Sequence, residues 1–334
     1  DSSINGPTRA DTIFVASIDL DSNDIGILFI PRDTRVKIPG RGKNRINASH
    51  AFGGIKLLKK TVESFLDIPI DYYVETDFKG FSRIINNLGG IEINVEESYQ
   101  YVDEAGGLYI NLNKGEQLLN GEEALQYVRY RDQTFGDIGR VRRQQKFLRA
   151  LFQRIMNPDI IVKLPSLYSE FRKSVNTNIP FQDISPLVKL FKNMDLSHMK
   201  TEMVPGKPDY INEASYWLPD RKKLDILVNN LIRSKEYINN SRYQITLLNG
   251  NGVNGTAGNL SSQLNKYGFR IQKIGNASNF NFKTTIIEYH NTRDKNVAAG
   301  IKDLIGGKIK YNDTGEENIR IIIATGSHKT NTKN

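Results

Sequence analysis

Apolar and polar positions in this chain follow two periods, and the two alternate. Residues 12–20, TIFVASIDL, and 25–30, IGILFI, are apolar, β-branched runs that predict buried strands, with the polar DSND at 21–24 as the turn between them. The segment PRDTRVKIPGRGKNRINASHAFGG, rich in Pro, Gly and Arg, predicts a loop. In IKLLKKTVESFL the apolar residues fall at 55, 58, 62, 65 and 66, which is helical spacing. IDYYVE at 70–75 predicts a strand, DFKGFSRIINNL at 77–88 a helix stopped by Gly89 and Gly90, and IEINV at 91–95 another strand. Near Asn120 a helix starts with its own signal, because Glu123 stands three residues later, as in a capping box. Further helices are predicted at 159–172, 183–194 and 220–233. Strands alternating with helices predict an α/β sheet covered by helices on its faces.

The pattern breaks into polar residues at 234–242, SKEYINNSR, where the domain boundary is placed. The expected division is a domain over 1–236, a linker at 237–242, a small domain over 243–326 and a disordered tail at 327–334. YQITLLN, TAGNLSSQLNKYG, FRIQKIG, TTIIEYH, NVAAGIKDLIGG and IRIIIAT give the small domain the order βαββαβ, one sheet with two helices.

Composition narrows the chemistry. The chain has 334 residues, enough for two domains, and 38% of them are hydrophobic, which excludes a disordered chain. It has no cysteine, so disulfides, iron–sulfur clusters, thiol nucleophiles and cysteine zinc sites are excluded. His50, His198, His290 and His328 show no metal-ligand spacing. The net charge of +9 favours anionic partners: phosphates, nucleic acid, acidic polymers or an anionic membrane face. No run of eighteen apolar residues is present, and the first residue is not methionine. The expectation is that an upstream piece has been cut away.

The charge is concentrated in QYVRYRDQTFGDIGRVRRQQKFLRALF, with arginines at 129, 131, 140, 142, 143 and 149. On a helical wheel Phe147, Leu148, Leu151, Phe152 and Ile155 share one face, and Arg142, Lys146, Arg149 and Gln153 the opposite, solvated one. Arg140 and Gln144 fall on the apolar side, and Arg143 on its flank. An inward guanidinium is costly unless paired. Asp132 and Asp137 are the only acids between 124 and 158, too few to neutralise Arg129, Arg131 and Arg140 as well. A bound anion explains the surplus better than a structural ion pair, since arginine forks match phosphate oxygens. Asp11 precedes the first strand and Asp33 follows the second, so a hairpin would bring both acids to one sheet edge, with Arg9 and Arg32 beside them. That pair suits either Mg²⁺ beside a phosphate or a simple turn-capping role.

RADTIFVASIDL, IPRDTRVKIPG, RINASHAFGG, IDYYVETDFKGF, NNLGGIEINV, LNGEEALQYVRYR and GDIGRVRRQQ follow one another in order. Over roughly 9–235 they resemble the LytR–CpsA–Psr family of bacterial cell-wall proteins, and 243–325 resembles the smaller C-terminal domain of the LytR branch. The resemblance implies an α/β/α sandwich with a central mixed sheet and an apolar pocket for a lipid tail. It implies a phosphotransferase outside the cell, tethered to the membrane by an N-terminal helix. Such an enzyme moves a glycopolymer from a polyprenyl-pyrophosphate carrier to a muramic-acid hydroxyl of peptidoglycan. Its partners would be that lipid-linked polymer, peptidoglycan and membrane lipid, with no nucleic acid. By motif, Asp11 and Asp33 would hold Mg²⁺, or Mn²⁺ in its place. Arg32, Arg45, Arg129, Arg131, Arg140 and Gln144 would grip the pyrophosphate, and Arg9 and Arg143 would also touch substrate.

Other readings are weaker. GNGVNG at 250–255 satisfies a dinucleotide fingerprint, but the following strand, FRIQKIGNAS, carries no acid for the ribose, so the glycines are read as a tight turn. No nucleic-acid-binding signature accompanies the basic charge. A pyrophosphatase working from the same residues is the nearer alternative.

Overall fold

The computed structural model describes residues 9–19, 24–104, 108–130, 136–157, 159–160, 168, 170–183, 199–314 and 319–323, with the backbone alone at 136–138. The chain divides into two compact units, Asp1–Ile232 and Arg233–Asn334.

In the first unit β1 (Ile13–Ile18) and β2 (Ile25–Ile30) form the predicted antiparallel hairpin, with Ile13 opposite Ile30. They are followed by β3 (Arg35–Ile38), β4 (Gly42–Arg45), α1 (Ile46–Leu66), β5 (Val74–Glu75), α2 (Phe78–Asn87) and β6 (Ile91–Val95). Next come β7 (Tyr99–Asp103), β8 (Leu108–Leu112), β9 (Gly115–Leu119), α3 (Gly121–Arg129) and α4 (Gly136–Ile155). The unit ends with β10 (Asn176–Thr177), β11 (Lys200–Met203), β12 (Gly206–Ile211), β13 (Ala214–Pro219) and α5 (Arg221–Leu231).

β11 runs parallel to β2, so β1, β2 and β11 form a mixed sheet with β2 in the middle. All six residues of β2 are buried, which is why the strand reads as a continuous apolar run. Leu28 and Ile30 join Leu58, Val62, Leu224 and Val228 of α1 and α5 in one core. Ile25, Ile27 and Phe29 join Val141, Leu148 and Phe152 of α4 in another. The layers are therefore α/β/α, as expected. Gly26 permits close packing, since a Cβ there would lie 1.8 Å from the Leu231 carbonyl oxygen. A third core gathers Ile85, Ile91, Ile93, Tyr99, Leu119, Tyr127 and Phe147, and joins α2, α3 and α4 to the β6–β9 region.

Several local signals hold. Asn120 closes a full capping box with Glu123, and the Asp77 side chain caps α2 by accepting from the Gly80 amide at 2.6 Å. Other expectations need correction. The 31–54 loop contains the β3–β4 hairpin, and α1 begins at Ile46, kinked at Gly53 and Gly54, rather than at 55. Its Arg45 N-cap is an arginine without a capping hydrogen bond, so nothing local announces the start. Of the predicted strand at 70–75 only Val74–Glu75 is paired. The helical-spacing residues Leu58, Val62, Phe65 and Leu66 are buried in the first core. The predicted helices at 159–172 and 183–194 lie largely outside the described residues.

The second unit opens with α6 (Lys235–Asn240), a helix capped by Ser234. The expected linker at 237–242 is therefore partly helix, because that cap outweighs the polar composition. There follow β14 (Gln244–Asn249), α7 (Thr256–Lys266), β15 (Arg270–Asn276), β16 (Ile286–Tyr289), α8 (Lys295–Ile305), β17 (Lys308–Tyr311) and β18 (Ile319–Ile323). The order is βαββαββ, one edge strand more than expected, and the sheet runs β15-β14-β18-β16-β17. In the GNGVNG turn Gly252 and Gly255 take φ of 74° and 82°, the left-handed region that favours glycine. The tail at 327–334 lies outside the described residues. Among those residues no helix is long and apolar enough to cross a membrane.

Candidate functional site

The β1–β2 register decides which side chains meet. Asp11 lies just before β1 and Asp33 just after β2, so both reach the same edge of the sheet. The 31–34 turn is closed by the Thr34 amide donating to the Pro31 carbonyl at 2.9 Å. It is then tied down from two sides. The Ile46 and Asn47 amides at the start of α1 donate to the Thr34 and Arg32 carbonyls at 2.8 and 3.2 Å, and the Trp217 amide of β13 donates to the Asp33 carbonyl at 3.0 Å. Backbone held this firmly presents its side chains with little freedom left to lose.

Those side chains alternate in charge. Arg32 Nη1 donates to Asp11 Oδ1 at 2.5 Å, and Arg32 Nε lies 3.8 Å from Asp33 Oδ2. Arg45 Nε lies 3.4 Å from Asp33 Oδ1, donates to the Ser215 carbonyl at 2.9 Å, and its guanidinium faces the Tyr216 ring at 5.5 Å. The chain Asp11–Arg32–Asp33–Arg45 is thus neutral as a set. It is also partly open: Asp11 is 46% and Asp33 27% exposed. Arg32 Nε is buried without a hydrogen-bond partner among the described residues. An orphaned charged donor at an open acidic edge is an unmet demand for an oxygen ligand.

Gln144 joins this edge from α4. Its Nε2 donates to Thr12 Oγ1 at 3.1 Å and to the Val128 carbonyl at 3.3 Å, linking α4 to the residue after Asp11 and to the end of α3. Arg140 stands one turn earlier on α4 and is half-buried. Arg9 is exposed two residues before Asp11. Arg129 is placed differently: its guanidinium lies 4.4 Å over the Phe78 ring at the start of α2. No described contact ties it to the Asp11–Arg45 chain. Arg131 lies outside the described residues.

Arg143, on the flank of the apolar side of α4, is buried. It is 6% exposed, donates from Nη2 to the Tyr130 carbonyl at 2.7 Å, and faces the Tyr99 and Tyr130 rings at 5.3 and 5.0 Å. Two aromatic faces receive the cation there. These contacts tie Arg143 of α4 to Tyr130 at the end of α3 and to Tyr99 of β7. The face of α4 read as solvated is also in use. Lys146 Nζ lies 2.7 Å from Glu96 Oε1, and Arg149 Nη2 donates to the Met199 carbonyl at 2.9 Å.

Sequence reasoning missed Glu96 altogether, although it joins three elements. It accepts from Lys146 of α4, from Tyr99 of β7 at 2.9 Å and from Tyr127 of α3 at 3.1 Å. Burial alone would raise its pKa. The hydrogen bonds from Lys146 and Tyr99 outweigh burial and hold the carboxyl below its ordinary value. A depressed carboxyl stabilises the fold above its unfolded-state pKa, and this contribution is lost as pH falls through the folded value. Thermal melts from neutral to acid pH are therefore expected to converge for the native chain and Glu96→Gln as pH drops below the carboxylate range, with the native chain the more stable at neutral pH. A constant difference across that range would remove Glu96 from this role. His50 was likewise read only as a non-ligand; its Nε2 pairs with Glu75 Oε1, and Glu75 Oε2 accepts from Asn176 Nδ2 at 2.8 Å. Among the described residues no group of three or more His, Cys, Asp or Glu side chains is arranged to hold a metal ion.

Residues 1–233 match the LytR_cpsA_psr family, and residues 242–326 match the domain described as LytR cell envelope-related transcriptional attenuator. Regulatory protein MsrR of Staphylococcus aureus is 38% identical over 212 residues, covering 63% of this chain and 63% of that protein. The Bacillus subtilis polyisoprenyl-teichoic acid–peptidoglycan teichoic acid transferase TagV is 36% identical over 238 residues, covering 69% of this chain and 60% of that protein. The aligned region thus spans roughly three-fifths of the length of these relatives. The crystal structure of B. subtilis TagV superposes with a TM-score of 0.60 at 35% identity, over 67% of this chain and 88% of that one. TagT bound to LI-WTA superposes with a TM-score of 0.55 at 28% identity, over 67% of this chain and 85% of that one. With the family match extending over the whole unit that carries Asp11, Arg32, Asp33, Arg45 and Gln144, the chain belongs to the LytR_cpsA_psr family.

Proposed function

We propose that the chain is a phosphotransferase that moves an anionic glycopolymer from a polyprenyl-pyrophosphate carrier onto a peptidoglycan muramic-acid hydroxyl, releasing polyprenyl phosphate. The observation that carries this reading is the Asp11–Arg32–Asp33–Arg45 chain, with its orphaned Arg32 Nε. The name of TagV, a teichoic acid transferase, supports it from outside. The working location is the outer face of the cell membrane.

The residues divide the work by charge. Arg32 and Arg45 meet the non-bridging oxygens of the pyrophosphate, and Arg32 leaves one or both acids as it turns to them. Gln144 donates an amide hydrogen at the same edge, and Arg140, one turn away on α4, approaches from that side. The acceptor hydroxyl attacks the polymer-side phosphorus, the bond to the bridging oxygen breaks, polyprenyl phosphate departs with that oxygen and the electron pair, and the hydroxyl proton passes through solvent to the departing phosphate. Arginines that bind the charge more tightly as it shifts toward the leaving group lower the barrier without covalent participation.

Asp11 and Asp33 fit a divalent cation. They offer hard carboxylate oxygens, too few to cage an ion alone, and Mg²⁺ is commonly held by one or two carboxylates plus substrate phosphates and water. When bound, Mg²⁺ (or Mn²⁺) would supply neutralisation of the pyrophosphate charge.

The test is product analysis. Given lipid-linked polymer and peptidoglycan oligomers, the chain should yield polymer joined to the oligomer, and no comparable release of free polymer when oligomers are omitted. Free polymer in equal amount with and without oligomers would make it a pyrophosphatase instead.

A further inference from the structure

The net charge of +9 is not shared evenly between the units. Residues 233–334 carry fifteen Lys and Arg against seven Asp and Glu, whereas residues 1–232 carry thirty-one against thirty. The small unit therefore accounts for nearly all of the excess, although the arginine run that drew attention lies in the large one.

The sheet of the small unit places much of that charge on one face. Ile245, Leu247, Ile287, Ile319, Ile321 and Ile323 form a core with α7 and α8, so both helices cover the same side. Residues alternating with these point to the other side. Register assigns the face away from α7 and α8 the line Lys273, Thr246, Arg320, Glu288, Lys310, and beside it the line Gly275, Leu248, Ile322, Ile286, Lys308. Arg270 shares the face, opposite Gln244. Five cations thus stand with a single acid. Glu288 does not cancel them. It is 7% exposed and lies 3.3 Å from Lys310 Nζ and 3.6 Å from Arg320 Nη1, so one buried carboxylate fixes two cations in place. Arg270, Lys273, Lys308 and Lys310 remain exposed.

We propose that this face is a docking surface for a linear phosphodiester polyanion, the kind of polymer the first unit hands on. The cations in the first line sit on alternate strands, roughly 9–10 Å apart, in a row across the sheet. A row of separated charges with an apolar strip alongside complements an extended polymer of alternating phosphates and carbon units. The identity of the polyanion rests on the transferase reading; the cationic face does not. Docking the polymer here would keep it near the enzyme between encounters and raise its effective concentration. Edge-strand lysines also discourage strand-to-strand association, and that simpler role concerns only β15 and β17, not Arg320 of the inner β18.

The experiment uses the full chain and immobilised poly(glycerol phosphate). The triple variant Arg270→Glu, Lys273→Glu, Lys308→Glu alters the face and spares the Glu288 pairs. The variant Lys266→Glu, Lys295→Glu, Lys302→Glu makes the same net-charge change on the helix side. At low salt the face variant should weaken binding on the order of a hundredfold, and the helix variant by less than about fivefold. Circular dichroism and melting confirm that both are folded. Equal weakening by both, wild-type binding to anionic phosphatidylglycerol vesicles but not to the polymer, or self-association of the face variant with polymer binding intact would each overturn the proposal. Arg32→Ala is expected to retain polymer binding. Binding without any transfer by the wild-type chain would sink the transferase reading and leave the docking face standing.

Discussion

Replacing Arg32 by alanine is expected to lower glycopolymer transfer by roughly 10²–10³-fold, the loss typical of removing one preorganised donor to a developing charge. The expectation follows from its position. Arg32 is the only described side chain in contact with both Asp11 and Asp33, and its Nε is buried without a hydrogen-bond partner among the described residues. Without it, two carboxylates face the edge with Arg45 alone beside Asp33, and an arriving pyrophosphate meets net negative charge. Arg32→Lys should recover little, because an ammonium is a point charge and cannot fork between two partners. Initial rates of polymer attachment, with a melting curve to show an intact fold, decide the matter. Transfer within about threefold of the native rate would remove Arg32 from the site, since an engaged oxyanion-type donor contributes far more than that.

Phe147→Ala is expected to cost about 3–5 kcal/mol of stability, the range for an aromatic removed from a filled core. Phe147 is 2% exposed, lies 5.4 Å from the Phe81 ring centroid, and packs with Ile85, Ile91, Ile93, Leu119 and Tyr127. It stands three residues beyond Gln144 and four beyond Arg143 on the same helix. A cavity there loosens the anchorage that sets both of those side chains. Transfer should therefore fall as well, at temperatures where the variant is still folded. The damage should be confined to the first unit, because the core around Ile245, Leu247 and Ile321 is separate. Denaturation followed by a probe in each unit checks this. A loss under about 1 kcal/mol would mean the site collapses around the missing ring far better than measured core truncations do.

Much of the fold was legible because its local signals were strong. β2 is buried on both faces and reads as an unbroken apolar run; Asn120 and Glu123 announce α3; Gly89 and Gly90 mark the end of α2 with φ of 79° and 91°. The start of α1 was not legible, since Arg45 and the 46–54 sequence carry no cap and two glycines interrupt it. The site divides in the same way. The inward direction of Gln144 followed from helical spacing, and the meeting of Asp11 with Asp33 at one edge followed from the hairpin. Arg143 was read as a flank residue because its partners, Tyr99 and Tyr130, belong to other elements. Glu96 carried no signal at all for the same reason.

By itself the sequence determined the periods, the caps, the hairpin and the surplus of positive charge, all of which depend on residues a few positions apart. Only the tertiary structure decided that Arg45 reaches Ser215, 170 residues away, that Arg143 faces two tyrosine rings, and that five basic residues of the second unit share one side of a sheet. Local preferences set which elements form and which way each side chain leaves them. What a side chain then meets depends on how distant elements pack, and no local period encodes that.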